Sequence, residues 1–251
     1  MSLARSCLTK RWLILCVDVV VCLAFAVCAS LVATRVYPWV AGIPSQGITL
    51  TSLGIWAVCA VLFVQNALIL VYVGWRGERN WDFLLGHPSK SRTILVYSVL
   101  AIPLVLGVNI VVGALTVVLG VQHNQSALYP LQAGDIIGQV AFGVVATLVV
   151  PVSEEVLFRG YLYGKLTNLG SSTRAVGLSA LVFAGAHAWS ASIGNTTLVV
   201  QTFALGLVLG WIRRQSQSIF PSMIAHACNN AFALLFVLSC VNHPDLGCAR
   251  T

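Results

Sequence analysis

The chain is organised around residues 151–159, PVSEEVLFR, which place two neighbouring carboxylates inside a strongly apolar run. Only seven of the 251 residues are acidic, and Glu154 and Glu155 are two of those seven. A carboxylate within hydrocarbon costs about 2.5–3.5 kcal/mol on membrane-insertion scales. Two adjacent carboxylates also repel each other unless one pairs with a cation or binds a proton. We interpret the stretch as a site of chemistry, and the rest of the chain tests that interpretation.

The composition predicts an integral membrane protein. Hydrophobic residues make up 58% of the chain and charged residues only 8%, whereas a soluble domain carries about a quarter charged residues. The net charge of +7 lies in short loops, where it favours contact with membrane lipids and argues against a nucleic-acid partner. The eight cysteines include no CxxC pair, which argues against a zinc–cysteine or redox site.

Seven apolar runs predict an all-α, polytopic membrane bundle of about seven to eight transmembrane helices. The predicted spans cover residues 12–34, 54–75, 94–119, 135–165, 175–192, 196–212 and 219–241. Three parts form one membrane domain: residues 1–134 with the first three spans, residues 135–241 with the two glutamates, and a short polar tail at 242–251.

Basic residues predict the orientation of this bundle. In a seven-span arrangement, one side of the membrane has only Arg35 and Arg250, and all the other basic clusters lie on the opposite side. Because cytoplasmic loops carry the excess of Lys and Arg, the N-terminus is predicted to be cytoplasmic. Glu154 and Glu155 then lie towards the cytoplasmic half of the membrane.

The first polar cluster combines Glu154 and Glu155 with Arg159. Glu155 and Arg159 are four residues apart with the acid first, which is the better order for an ion pair on a helix. Glu154 is rotated from Glu155 by about 100° around the helix axis. The alternative to a functional role is a helix end at the membrane interface whose charged side chains extend into water.

Two further clusters place histidines inside apolar spans. Phe183 and His187 share one helix face, and His226 and Asn230 share another, about 6 Å apart at this spacing. Asn229 points away from that face and is predicted to bond a neighbouring helix. Each cluster alone is compatible with packing. Together the three can supply a base, a second proton-handling group and donors for a developing oxyanion.

The three motifs EExxxR, FxxxH and HxxxN occur in this order on successive apolar helices. This pattern resembles the CPBP intramembrane protease family, which includes the type II CaaX prenyl endopeptidases and bacterial Abi-type proteins. The resemblance covers residues 135–240, and the three preceding spans agree in hydropathy only. It implies a helical membrane fold with a cavity open towards the cytoplasm and the lipid.

The resemblance also implies roles for the polar residues. Glu154 would be the general base that activates a water, and His187 would orient that water. His226 and Asn230 would bind the carbonyl oxygen as it becomes an oxyanion. These four are the predicted catalytic residues of an intramembrane endopeptidase.

A structural ion pair between Glu155 and Arg159 completes the implied site. No cofactor is expected, because the chain has no HExxH motif and its candidate ligands lie on three helices. The alternative is a zinc ion on Glu154, His187 and His226, since two histidines and a glutamate form a familiar catalytic zinc set.

The implied substrate is a membrane-associated peptide or protein, with prenylated CaaX proteins as one candidate. The compact length resembles bacterial members of the family, so the predicted location is the bacterial plasma membrane. Two other functions stay open: a non-catalytic scaffold or bacteriocin-immunity protein that retains the fold, and a proton-coupled transporter. The small number of spans and the missing internal repeat disfavour the transporter.

Overall fold

The computed structural model describes most of the chain. The described residues are 9–21, 23–24, 50–86, 91–119, 131–188 and 196–243. Within these ranges the protein is helical and contains no strand. The predicted all-α membrane fold is therefore confirmed.

The helices, in chain order, are α1 (residues 9–21), α2 (Leu50–Arg76), α3 (Trp81–Leu85), α4 (Ser91–Val118), α5 (Ile136–Thr167), α6 (Ser172–Ala186), α7 (Thr196–Ser216) and α8 (Phe220–Asn242). Among the described residues, five of these helices are long and apolar enough to cross a membrane: α2 from Gly54 onward, α4, α5, α7 and α8. They correspond to five of the seven predicted spans. The span predicted at residues 12–34 is described only at residues 12–21 and 23–24, and its remainder lies outside the described residues.

Helix α6 differs from its predicted span at residues 175–192. It ends at Ala186 after 15 residues, which is a length of about 22 Å against a hydrocarbon core of about 30 Å. His187 has left the helical conformation, with φ −98° and ψ 0°. The expectation that His187 lies well inside a helical span is therefore wrong. Hydropathy missed this end because the residues before it are all small or apolar, and the polar, glycine-containing segment follows only afterwards.

Helix α5 carries the two glutamates and is not a regular α-helix. Two π-helical segments, Val145–Val149 and Val156–Leu162, flank the α-helical turn Val150–Glu155. In the first segment the Val150 N–H bonds to the Val145 carbonyl, five residues back. The next N–H in that register is missing because residue 151 is proline. Such π segments inside α-helices occur frequently at functional sites.

Small residues let neighbouring helices approach α5 and each other closely. A Cβ placed on Gly206 of α7 would lie 3.0 Å from Cα of Ala180 on α6. A Cβ placed on Gly160 of α5 would lie 2.5 Å from the carbonyl oxygen of Leu84 on α3. These contacts bring α7 against α6, and α3 against the part of α5 that follows the glutamates.

Contacts at the helix ends agree with the predicted arrangement of the spans. The Ile219 N–H donates to the Leu85 carbonyl at 3.0 Å, so the connection after α3 and the start of α8 lie on one side. At the opposite end of the bundle, Gln139 of α5 and Asn242 of α8 form a reciprocal amide pair at 3.3 Å. Helices from both predicted parts of the chain thus pack into a single bundle.

Helix α1 is attached to this bundle through a buried carboxylate. Asp18 is only 2% exposed and accepts hydrogen bonds from Tyr72 and Arg76 of α2. The same carboxylate accepts from the Tyr161 hydroxyl on the second π segment of α5. Asp18 therefore connects the N-terminal helix to the helix that carries the glutamates.

Candidate active site

The two glutamates at the centre of α5 have different environments. The side chain of Glu155 is fully buried, whereas that of Glu154 is 18% exposed. This difference follows from the rotation of about 100° between consecutive residues of a helix. Of the two carboxylates, Glu154 is the one with access to a substrate or a water molecule.

Glu155 forms the predicted ion pair with Arg159. The Arg159 Nη1 atom donates to Glu155 Oε1 at 2.9 Å, and both side chains are fully buried. A second guanidinium nitrogen, Nη2, lies 3.4 Å from the Gly206 carbonyl on α7. The buried cation therefore holds both the carboxylate and the neighbouring helix.

His226 of α8 contacts both glutamates, which the sequence did not indicate. Its Nδ1 lies 3.0 Å from Glu155 Oε1, and its Nε2 lies 3.6 Å from Glu154 Oε2. Because Glu155 is ionised by its pairing with Arg159, it only accepts hydrogen bonds. We therefore assign a proton to His226 Nδ1, which fixes the ring and directs Nε2 at Glu154.

Phe183 of α6 joins the histidines to the ion pair. Its ring centroid lies 4.8 Å from that of His187 and 5.7 Å from that of His226, with edge-to-face geometry in both cases. The guanidinium carbon of Arg159 lies 4.4 Å from the same centroid. His187 itself bonds through Nδ1 to the Phe183 carbonyl at 2.9 Å. The FxxxH motif is thus placed beside the EExxxR motif.

Asn230 lies one helical turn beyond His226 and contacts the first π segment. Its Nδ2 donates to the Ala146 carbonyl at 2.9 Å. In the π register, that carbonyl would accept from residue 151, which is proline and has no N–H. The Asn230 amide takes the place of the missing donor. One N–H of the Asn230 amide makes this hydrogen bond, and the second N–H remains for another acceptor.

Two functional candidates escaped the sequence analysis, namely Asn109 of α4 and Gln201 of α7. Asn229 Oδ1 accepts from Asn109 Nδ2 at 2.6 Å, which confirms the prediction that Asn229 bonds a neighbouring helix. Asn109 Oδ1 accepts in turn from Gln201 Nε2 at 2.7 Å. Both residues could have been found, because each is a polar side chain inside a predicted span and such residues are costly in hydrocarbon.

The described residues do not assemble a zinc site. No group of three or more His, Cys, Asp or Glu side chains in this part of the chain has the arrangement of metal ligands. Of the proposed set, His226 Nε2 and Glu154 Oε2 face each other at 3.6 Å, and no third His, Cys, Asp or Glu of the described residues completes a group around them. These donors do not fit a three-residue zinc set, and we derive no step through a metal.

Comparison with known proteins identifies the core of the chain. Residues 136–232 match the family model described as type II CAAX prenyl endopeptidase Rce1-like. This match supports the predicted resemblance to the CPBP family over that segment. The matched segment contains all the residues predicted as catalytic and the ion pair, whereas Asn109 lies outside it.

A curated protein with a similar sequence is UPF0177 protein YxdF of Lactococcus lactis subsp. lactis (strain IL1403). The two sequences are 29% identical over 101 residues, which are 39% of this chain and 52% of the relative. The chain thus spans about half the length of that relative. No solved structure matches the chain.

Proposed function

We propose that this protein is an intramembrane endopeptidase in which Glu154 activates a water for attack on a peptide bond. The observation that carries the proposal is the position of His226 between the two carboxylates, with Nδ1 on Glu155 and Nε2 facing Glu154. The match of residues 136–232 to the type II CAAX prenyl endopeptidase Rce1-like model supports a protease-type activity. The geometry supports different roles for the two glutamates.

Glu154 is the proposed general base because it is the accessible carboxylate. Glu155 is fully buried and bonded to both Arg159 and His226, so its proposed role is to hold those two side chains. A base must reach its proton directly or through one water. With 18% of its side chain exposed, Glu154 meets this requirement.

His226 and Asn230 are the proposed donors to the oxyanion. Glu155 accepts from the Nδ1–H of His226, so in the protonated imidazolium form the second N–H, on Nε2, is directed into the site beside Glu154. Asn230 has one N–H on the Ala146 carbonyl and a second one to offer. Donors aimed at developing charge and held in place before the reaction stabilise the transition state.

The proton balance uses a single base. Glu154 takes a proton from water as the water oxygen bonds to the carbonyl carbon, and the carbonyl electrons move onto the oxyanion. The tetrahedral intermediate collapses as its C–N bond breaks, and Glu154 returns the proton to the departing amine. His187, beside Phe183, is the proposed partner that orients the water.

The proposed substrate is a membrane-associated peptide or protein, with prenylated CaaX proteins as one candidate class. Five apolar helices support an integral membrane protein. We propose a cytoplasmic N-terminus, because the basic clusters lie on one side of the predicted seven-span arrangement. A bacterial plasma membrane stays the predicted location. Glu154 then faces the cytoplasmic half, where the carboxyl terminus of a cytoplasmic substrate could enter.

The test compares purified wild-type protein with Glu154→Gln in detergent. The substrates are a farnesylated CaaX peptide and a mixed library of membrane peptides, and cleavage is followed by mass spectrometry. Glu154→Gln keeps the shape and hydrogen bonding of the side chain but cannot take a proton. We expect cleavage by the wild type and none by the variant.

Glu78→Gln is the matched control, because it changes an exposed glutamate in the turn after α2. It should cleave at the wild-type rate. Equal cleavage by Glu154→Gln and wild type would contradict the assignment of the base. Absence of cleavage by the wild type on every substrate would favour the non-catalytic scaffold.

A further inference from the structure

We propose that Asn109 and Gln201 are positioning residues that orient the Asn230 amide, acting through Asn229. The proposal rests on the proposed function, since it assigns Asn230 the role of an oxyanion donor. It extends the site to α4, which lies outside the segment matched by the family model.

Four side-chain amides form a continuous chain of hydrogen bonds across three helices. Gln201 Nε2 donates to Asn109 Oδ1 at 2.7 Å, and Asn109 Nδ2 donates to Asn229 Oδ1 at 2.6 Å. Asn229 Nδ2 then donates to Asn230 Oδ1 at 3.2 Å, and Asn230 Nδ2 donates to the Ala146 carbonyl at 2.9 Å. Each of the three asparagines therefore accepts on its oxygen and donates from its nitrogen, and Gln201 at the α7 end only donates.

The Ala146 carbonyl fixes this direction. An asparagine amide can in principle turn over by 180°, which exchanges its oxygen and nitrogen. A carbonyl oxygen only accepts, so Asn230 must present Nδ2 to Ala146. The Oδ1 of Asn230 then needs a donor, which is Asn229. In the same way, the oxygen of Asn229 accepts from Asn109, and the oxygen of Asn109 accepts from Gln201. The need for a side-chain donor arises from Pro151, whose missing N–H leaves the Ala146 carbonyl without a donor in the π register.

The hydrogen-bonded amides leave one polar group unsatisfied at their α7 end, which costs free energy. Gln201 Oε1 is buried and has no hydrogen-bond partner among the described residues. A buried acceptor without a partner costs about 1–3 kcal/mol. The reversed chain would direct Asn230 Oδ1 at the Ala146 oxygen, beside the site. The unsatisfied acceptor is thus Gln201 Oε1 on α7, and the Asn230 side chain presents its N–H groups at the site.

The series of hydrogen-bonded amides affects the chemistry by fixing and polarising the free N–H of Asn230. Hydrogen bonds in a chain strengthen one another, because an amide that accepts on its oxygen becomes a better donor from its nitrogen. Asn230 therefore offers its second N–H in a fixed orientation. An oxyanion donor is effective when it is oriented before the reaction. Asn109 orients the Asn230 amide through Asn229, although α4 makes no hydrogen bond to the glutamates among the described residues.

The test replaces Asn109 by leucine, with Gln139→Leu as the matched control. Gln139 is also an amide inside an apolar helix, and its pair with Asn242 joins α5 to α8 at the other end of the bundle. We expect Asn109→Leu to lower kcat about tenfold with KM unchanged, which is less than the about 10²–10³-fold cost of removing an oxyanion donor. Gln139→Leu should leave kcat unchanged at a similar loss of thermal stability.

A double variant separates positioning from general loss of structure. If Asn109 acts through Asn230, then Asn109→Leu should have no further effect on kcat in an Asn230→Ala background. Full and independent effects of the two changes would overturn the proposal. So would a wild-type kcat in Asn109→Leu.

A spectroscopic readout tests the chain without relying on cleavage. In protein labelled with [15N]asparagine, the side-chain amide signal of Asn230 is identified by its loss in Asn230→Asp. We expect its proton shift to move upfield in Asn109→Leu and to stay in place in Gln139→Leu. An unmoved signal in Asn109→Leu refutes the chain, whereas failure of the wild type to cleave any substrate refutes only the proposed function.

Discussion

The guanidinium carbon of Arg159 lies 4.4 Å from the ring centroid of Phe183. A cation above an aromatic face is attracted by the ring quadrupole, and the attraction is stronger where water is excluded. The edges of the same ring meet His187 and His226. A single aromatic side chain on α6 therefore touches the motifs carried by α5 and α8.

Replacement of Arg159 by methionine should destabilise the protein strongly. The change leaves the carboxylate of Glu155 buried without its cation, and removal of one partner of a buried ion pair costs about 3–5 kcal/mol. We expect a large fall in the thermal unfolding temperature in detergent, together with loss of cleavage. Arg92→Met, which changes an exposed arginine at the start of α4, is the control and should unfold like the wild type.

The double variant Glu155→Gln, Arg159→Met should recover part of that stability. It removes the uncompensated charge and keeps a side chain that can bond His226. Thermal unfolding of the single and double variants measures the difference. A double variant less stable than Arg159→Met would show that the charge of Glu155 is not what destabilises the single variant.

Replacement of Phe183 by leucine should reduce activity more than stability. Leucine fills much of the apolar volume but lacks the ring face and edges that contact Arg159 and the two histidines. We expect a lower kcat and an unfolding temperature close to that of the wild type. Phe142→Leu, on α5 in the second apolar cluster of the core, is a control in which kcat should be preserved. Equal kcat values for the two variants would contradict the central role of Phe183.

Restoring the missing backbone N–H should relieve the structural demand on Asn230. Asn230→Leu leaves the half-buried Ala146 carbonyl without its donor, and the cost is at most the roughly 1–3 kcal/mol of a fully buried acceptor. In a Pro151→Ala background, residue 151 regains an N–H in the π register, so the same change should cost less. Thermal unfolding of the four proteins gives the coupling. Equal costs in both backgrounds would exclude the proposed replacement of the proline donor.

Replacement of Asp18 by asparagine should loosen α1 from the bundle. The carboxylate accepts from Tyr72, Arg76 and Tyr161, and an amide cannot serve all these donors. Limited proteolysis should cut the variant sooner within the first 24 residues than it cuts the wild type. Asp82→Asn, an exposed acid in α3, is the control and should resist proteolysis like the wild type. Unchanged cleavage in Asp18→Asn would show that other contacts hold α1.

Cleavage should persist after treatment with a zinc chelator. Glu154 and His226 face each other, but the described residues supply no third donor to complete a zinc set. Activity and metal content should be measured on the same chelated sample. Loss of cleavage that added zinc restores would establish the zinc alternative.

Much of this fold could be predicted from the sequence because membrane helices are marked by local composition. Long apolar runs gave the positions of α2, α4, α5, α7 and α8. The Glu155–Arg159 pair was also predictable, since residues four apart on one helix are neighbours whatever surrounds them. The end of α6 was not, because the residues before it are all small or apolar and give no local signal that the helix stops at Ala186.

The sequence by itself determined which polar side chains lie within the membrane and on which helices they lie. Only the tertiary structure decided that His226 contacts both glutamates, and that Asn109 reaches Asn229 across 120 residues of chain. These contacts depend on the rotation and spacing of whole helices. Rotation and spacing follow from packing details, such as the close approach at Gly206 and the π segments around Pro151, which no local pattern encodes.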